Sequence, residues 1–201
     1  MHRPLIIVFA KVPRTGAVKS RLARDIGPVA ATAFYRRCLH ATIRRARAVP
    51  GAQVCLFISP DTPALAVRIA GQQSPLSWRP QGSGDIGVRM RRALQAFRHR
   101  PRILIGADIP GIRPAMLADA FRALRRYPAV FGPAEDGGFW LVGFRGGVQP
   151  HPLFETVRWS APETLSDVLD TLPPHVRTGR VTRLNDVDDL ADYGALTRSD
   201  R

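Results

Sequence analysis

The stretch PLIIVFAKVPRTGAVKSRLARDIG, residues 4–27, decides the fold. It opens on a run, 4–10, that is apolar at consecutive rather than alternating positions. Such a run suits a strand buried on both faces, as in a parallel sheet between two layers of helix. A basic loop carrying Pro13 and Gly16 follows at once, and then a helical pattern. Strand, glycine-bearing loop and helix in that order make a phosphate-binding arrangement, with Gly16 allowing close backbone approach. Lys11, Arg14, Lys19 and Arg21 supply its charge, and Lys11 and Lys19 are the only lysines among 30 basic residues. Lysine is a compact point charge on a thin stem and arginine a broad planar fork. Keeping lysine twice in this one loop therefore points to a ligand contact. TGAVKS falls short of a Walker A loop, which needs glycine directly before the lysine, where Val18 stands.

Similar short apolar runs recur at 52–59, 76–80, 102–107 and 128–134. GFWLVGF, 138–144, follows a tight AEDGG and reads as a hairpin arm or an added mixed strand. Helical patterns alternate with these runs. Pro28 opens one that extends to Ala48, with Ala33, Phe34, Leu39, Ile43 and Ala46 as its apolar stripe. Asp61 and Asp85 are candidate caps for helices over 62–71 and 86–98, and Arg113–Pro114 opens another to Arg126. The alternation predicts an α/β fold, three layers around a mostly parallel mixed sheet, with right-handed crossovers. No linker, repeat or low-complexity segment divides the chain, so one domain over 1–197 is expected, with a frayed polar end at 198–201.

With 201 residues, 45% hydrophobic and 23% charged, the chain can bury one sizeable core, and whole-chain disorder is excluded. The net charge of +14 raises the question of a polyanionic partner. Much of it lies on putative helix faces, as Arg36, Arg37, Arg44, Arg45 and Arg47 and again as Arg122, Arg125 and Arg126. No aromatic side chains interleave with them as a base-stacking surface requires, so general surface charge is the better reading than nucleic-acid binding. Cys38 and Cys55 have no zinc-ligand spacing and read as small core residues of a reducing compartment. No apolar run approaches the ~20 residues of a membrane span, and Lys11 and Pro13 stand where a signal peptide would have its cleavage site, so a cytoplasmic protein is expected. The histidines, among them His151 and His175, lack partners at a catalytic spacing.

Other candidate sites fall mainly where strands end. In IGADIPGI, 105–112, Asp108 lies just past a strand and before a Pro-Gly turn. It is either a turn-forming aspartate or a ligand for Mg²⁺ or Mn²⁺ facing the basic loop. In GPAEDGGFWLVGF, 132–144, Glu135 and Asp136 precede Gly137 and Gly138. Asp-Gly is a common hairpin turn, yet the doubled glycine beside Phe139 and Trp140 suggests backbone approach to a ligand. In LNDVDDLADY, 184–193, four aspartates repel one another unless a cation compensates, so Asp186 or Asp188 is a candidate second metal ligand, others serving as helix caps. PQGSGDIGVRM, 80–90, offers Gly84, Asp85 and Arg89 as a base- or phosphate-contacting loop. Trp159 could close over an acceptor, although core packing is its commoner use.

The order KxPxxGxxKSRL, QGxGDxGxRM, GxDxPG, GPxxDGGFWLxG and DVDxxxD resembles the small bacterial glycosyltransferase A-like, or nucleotide-diphospho-sugar transferase, family of the DUF2064 type. The likeness runs from about Phe9 to Tyr193. A more distant resemblance is to guanylyltransferases that activate phospholactate or phosphoenolpyruvate. The resemblance implies a glycosyltransferase A fold and places Lys11, Gly16, Lys19 and Arg21 at the nucleotide. It makes Asp108 the principal metal ligand, Asp186 and Asp188 the source of a second, and Glu135, Asp136, Gly137 and Gly138 the acceptor side. Ser20 stands where the family usually has Thr, and DVDDLADY departs from its usual DVDTPEDL.

These readings converge on a metal-dependent transferase with a nucleotide donor and a small-molecule acceptor. The lone carboxylate of GADIP and the lysine loop favour nucleotidyl transfer from an NTP to a phosphorylated or phosphonate acceptor, releasing pyrophosphate. The family's usual description favours sugar transfer from an NDP-sugar. A basic nucleic-acid-binding domain without catalysis is the third reading.

Overall fold

The computed structural model describes residues 2–60, 76–148 and 153–184. The expected helix over 62–71, His151, and both Asp186 and Asp188 lie outside these. The strands are β1 (Leu5–Lys11), β2 (Gln53–Ser59), β3 (Ser77–Pro80), β4 (Arg102–Gly106), β5 (Ala129–Pro133), β6 (Phe139–Phe144) and β7 (Thr178–Arg180). The described helices are α1 (Ser20–Ile26), α2 (Pro28–Arg47), α3 (Ile86–Gln95), α4 (Pro114–Ala123) and α5 (Thr164–Asp170).

The strands form one mixed sheet in the order β3-β2-β1-β4-β6-β5-β7. β1 pairs in parallel with β2 and β4, β2 with β3, and β5 with β7. β6 runs antiparallel to both of its neighbours, β4 and β5. The chain moves from β1 outward to β2 and β3 and returns to place β4 on the other side of β1. That reversal leaves a crevice at the carboxyl ends of β1 and β4, where ligands of open α/β sheets bind.

The consecutive apolar positions of the opening run serve two cores, because successive side chains leave a strand on opposite faces. Ile6, Val8 and Ala10 join Leu56, Ile58, Ile103 and Ile105 beneath Tyr35, Leu39, Ile43 and Ala46 of α2 and Leu117 and Ala120 of α4. Leu5 and Ile7 join Cys55, Phe57, Leu104 and Phe131 beneath Met90, Ala93 and Leu94 of α3 and Val168 of α5. This is the expected three-layer α/β/α architecture. Both cysteines are buried free thiols, and burial pushes each up to about 11.

Prolines start α2 and α4 at their first turns, and Asp85 caps α3 by accepting a hydrogen bond from the Val88 N–H at 2.8 Å. The helical pattern after the basic loop is a short helix of its own. α1 is broken from α2 by Gly27, at φ +85 before Pro28, and packs back onto it through Leu22, Ala31, Phe34 and Cys38. Among the described residues no helix is long and apolar enough to cross a membrane.

Candidate active site at the sheet switch point

The carboxyl ends of β1 and β4 open into a cleft of about 610 Å³. Lys11, Lys19, Arg21, Arg89, Asp108 and Asp136 all line it, together with Tyr35, Gln81, Phe139 and residues 160–162. Six of the residues singled out in sequence therefore meet on one surface, although they are spread over four separate segments of the chain.

Lys19 and Asp108 form its centre. Lys19 Nζ lies 2.7 Å from Asp108 Oδ2, and the lysine side chain is only 5% exposed. The lysine occupies the N-cap position of α1 with φ 49 and ψ 50. A non-glycine residue in this left-handed region is strained, and such strain collects at functional sites. Asp108 is held from beneath by α2, where the Thr42 hydroxyl donates to the Ala107 carbonyl and Arg45 Nη1 donates to the Pro110 carbonyl at 2.7 Å. The Pro-Gly turn closes with the Ile112 N–H donating to the Ile109 carbonyl. The carboxylate thus stands on an anchored loop.

At the end of β1, the Lys11 N–H donates to the Tyr35 hydroxyl, which donates in turn to the Lys11 carbonyl. Burial, with the Asp108 charge as a second cause, pushes the Tyr35 phenol far above its ordinary range. It stays neutral and holds the strand end below the lysine. On the β3 side, Arg89 Nη1 donates to Gln81 Oε1 and its Nε to the Asp85 carbonyl.

The remaining candidates among the described residues are not part of the cleft wall. Arg14 and Gly16 belong to a turn closed by the Ala17 N–H donating to the Arg14 carbonyl. The Asp85 carboxylate is occupied as the α3 cap, with Gly84 before it. Glu135 lies at the tip after β5, next to Asp136, whose Oδ1 accepts from the Gly138 N–H. Gly137 has φ +85, and a Cβ there would collide with the Pro162 carbonyl. The backbone approach that this glycine permits is to the chain's own segment, since the Leu165 N–H donates to the Gly137 carbonyl.

That segment was not singled out in sequence. Residues 160–162 line the same cleft as Lys19, and Ser160 again has positive φ, 58. Thr164 pins it, its one hydroxyl hydrogen shared between the Arg158 and Ala161 carbonyls, and Arg158 grips Asp167 through two bonds of 2.8 and 2.7 Å. These contacts join residues with no motif in common, so no local pattern announced them. Gln81, 1% exposed, belongs to the QGxGDxGxRM motif, yet nothing in that pattern distinguishes it as a site residue. Trp159 packs with Phe139 and Phe154, as core use predicts.

Against known proteins, the family model described as "Uncharacterized protein conserved in bacteria (DUF2064)" matches residues 42–161. A crystal structure from Desulfovibrio desulfuricans G20, of a protein provisionally described as a nucleotide-diphospho-sugar transferase, is 28% identical with a TM-score of 0.87. That match covers 100% of this chain and 89% of the other. The manganese complex of Rv0371c from Mycobacterium tuberculosis H37Rv is 18% identical, TM-score 0.59, covering 98% and 100%. The 4-diphosphocytidyl-2C-methyl-D-erythritol synthase of Anaerococcus prevotii DSM 20548 is 11% identical, TM-score 0.66, covering 99% and 97%. No curated protein matches the sequence at a significant level.

Proposed function

The chain belongs to the DUF2064 family of uncharacterized proteins conserved in bacteria, and we propose that it is a nucleotide-using transferase. The observation that carries this reading is the Lys19–Asp108 pair at the sheet switch point, its lysine buried and its aspartate half-buried, inside a cleft that also gathers Lys11, Arg21 and Arg89. Four cations against two carboxylates suit a strongly anionic donor. A nucleoside triphosphate carries more negative charge than a nucleotide-sugar, so nucleotidyl transfer leads. The likeness to a cytidylyl-transferring fold is consistent with that choice.

In this reaction an oxygen of a phosphorylated or phosphonate acceptor bonds to the donor's α-phosphorus as the α–β bridging bond breaks and pyrophosphate leaves. The attacking oxygen is already anionic and needs no general base. Lys11, Lys19 and Arg89 neutralise charge on the phosphate chain, and Lys19 meets the charge that grows on the leaving pyrophosphate. The anchored end of β1, the Asp108 contact of Lys19 and the Gln81 and Asp85 contacts of Arg89 keep those cations in place, so positioning supplies much of the rate. The acceptor lies on the far wall, between Asp136 and residues 160–162, with Glu135, Gly137 and Gly138 forming the turn that holds Asp136 there.

Mg²⁺ or Mn²⁺ fits this donor set. Asp108 and Asp136 offer hard oxygen ligands in one cleft, and such ions are held by one or two carboxylates with phosphates and waters filling the remaining positions. The ion would supply further neutralisation of the phosphate oxygens. Asp186 or Asp188 is proposed as its additional ligand.

Glycosyl transfer from an NDP-sugar is the second reading, favoured by the provisional description of the 28% identical relative. There an acceptor hydroxyl must lose a proton, and Asp136 is the available base. Thermal-shift measurements with Mn²⁺ separate the two. Nucleoside triphosphates should raise the melting temperature by several degrees and NDP-sugars by less. Stabilisation by NDP-sugars alone would replace the leading reading. Asp108→Ala should remove the metal-dependent part of the shift. A variant that still binds metal and mononucleotide like the wild type would overturn both enzyme readings in favour of a nucleic-acid-binding domain.

A further inference from the structure

We propose that Gln81 is a positioning residue that locks Arg89 to the ends of β1 and β2, so that the guanidinium meets an anionic group of the ligand in a fixed orientation. That this group is a donor phosphate rests on the nucleotide reading above.

Gln81 follows β3 and is 1% exposed, yet it lies on the cleft wall. Its Nε2 donates to two backbone carbonyls on adjacent strands, Ala10 at 2.9 Å and Phe57 at 3.1 Å. Carbonyls only accept, so the amide nitrogen must face them and the amide cannot be flipped. With both N–H groups committed, the direction of Oε1 is fixed as well. Oε1 accepts from Arg89 Nη1 at 3.1 Å.

The backbone of Gln81 is held too. Its N–H donates to the Ile58 carbonyl at 3.0 Å, and its own carbonyl accepts from Arg92. A second hold on Arg89 comes from its Nε donating to the Asp85 carbonyl. Asp85 is itself fixed as the α3 cap. Nη1 and Nε of the guanidinium therefore each have a fixed acceptor, while the arginine still lines the cleft. A residue needed only to close the gap between β1 and β2 would not have to present an acceptor to a cleft arginine. Fixing a long side chain in advance spares the ligand the entropy of ordering it.

The test is a double-mutant cycle read by calorimetric binding of inorganic pyrophosphate and of a nucleoside triphosphate with Mg²⁺. The proteins are wild type, Gln81→Met, Arg89→Met and the double variant, each confirmed folded by circular dichroism. Each single change should weaken pyrophosphate binding about tenfold, and the double variant should bind no more weakly than Arg89→Met alone. Gln81→Asn, which keeps the amide but withdraws its oxygen, serves if Gln81→Met does not fold, and it should give the same non-additive pattern. Wild-type affinity in the Gln81 variant, or a fully additive double variant, overturns the proposal; a purely structural role would lower stability without producing the non-additivity. Wild-type protein that binds pyrophosphate but no nucleotide ends the nucleotide reading and leaves the cycle to decide Gln81. Binding of neither overturns both.

Discussion

Lys19 combines two features that a surface lysine avoids, a left-handed backbone and a side chain almost wholly out of water. The backbone conformation alone stores about 1–3 kcal/mol. Lys19→Gly relieves that strain but also removes the partner of Asp108, so the melting temperature should change little while turnover falls about a hundredfold. Lys19→Arg keeps the charge but forces a broad fork into a slot fitted to a thin stem, and activity should fall at least tenfold. Full activity in that variant would mean that the lysine bias of the loop is coincidence. Because Lys19 occupies the carboxylate that a divalent ion would use, Lys19→Met should bind Mn²⁺ more tightly than wild type without nucleotide, as read by electron paramagnetic resonance. The sequence made this lysine conspicuous through residue choice. Its conformation and its partner were not legible, because Asp108 reaches it only through the pairing of β1 with β4.

At the scale of elements, the segment that joins β6 to α5 is the least regular part of the site. Phe154, Thr156 and Ser160 all have positive φ. It is held down by a sandwich of Phe139, Phe154 and Trp159, by the Thr164 hydroxyl and by the Arg158–Asp167 pair. The hydrogen bonds from the Arg158 side chain and backbone lower Asp167 from 3.8 to about 2. A carboxyl depressed on folding adds stability above its ordinary value and loses it as pH falls through the folded value. The pair should therefore weaken from about pH 4 down to pH 2, and Asp167→Asn should flatten that limb of a thermal-denaturation profile. Strands β1, β2, β4, β5 and β6 were legible because short continuous apolar runs bounded by turn residues admit little else, while β3, Ser77–Pro80, is mostly exposed and gave a weaker signal. α5 and β7 were not. β7 has three residues, Thr178–Arg180, without apolar alternation, and it forms only because β5 offers a free edge.

Across the whole molecule, Arg102 ties the layers together. It is 1% exposed, and its guanidinium donates to the carbonyls of Leu94 at 2.8 Å, Arg145 at 3.1 Å and Val148 at 2.8 Å. Burial without a carboxylate partner lowers it to about 10. Arg102→Met should cost about 3 kcal/mol in urea denaturation, because it strips several buried carbonyls of their donors at once. In the sequence this residue is one arginine among many, indistinguishable from those on helix surfaces. The antiparallel β6 has a different consequence, which is historical. Because it enters the sheet by its starting end at the cleft, the far wall is drawn from one contiguous block, residues 133–164, while the cations and Asp108 all come from earlier in the chain. A lineage could inherit its donor chemistry unchanged and trade that later block for another. A chimera carrying the corresponding block of the Desulfovibrio desulfuricans relative should keep the parent's nucleotide affinity and take on the donor block's choice of acceptor.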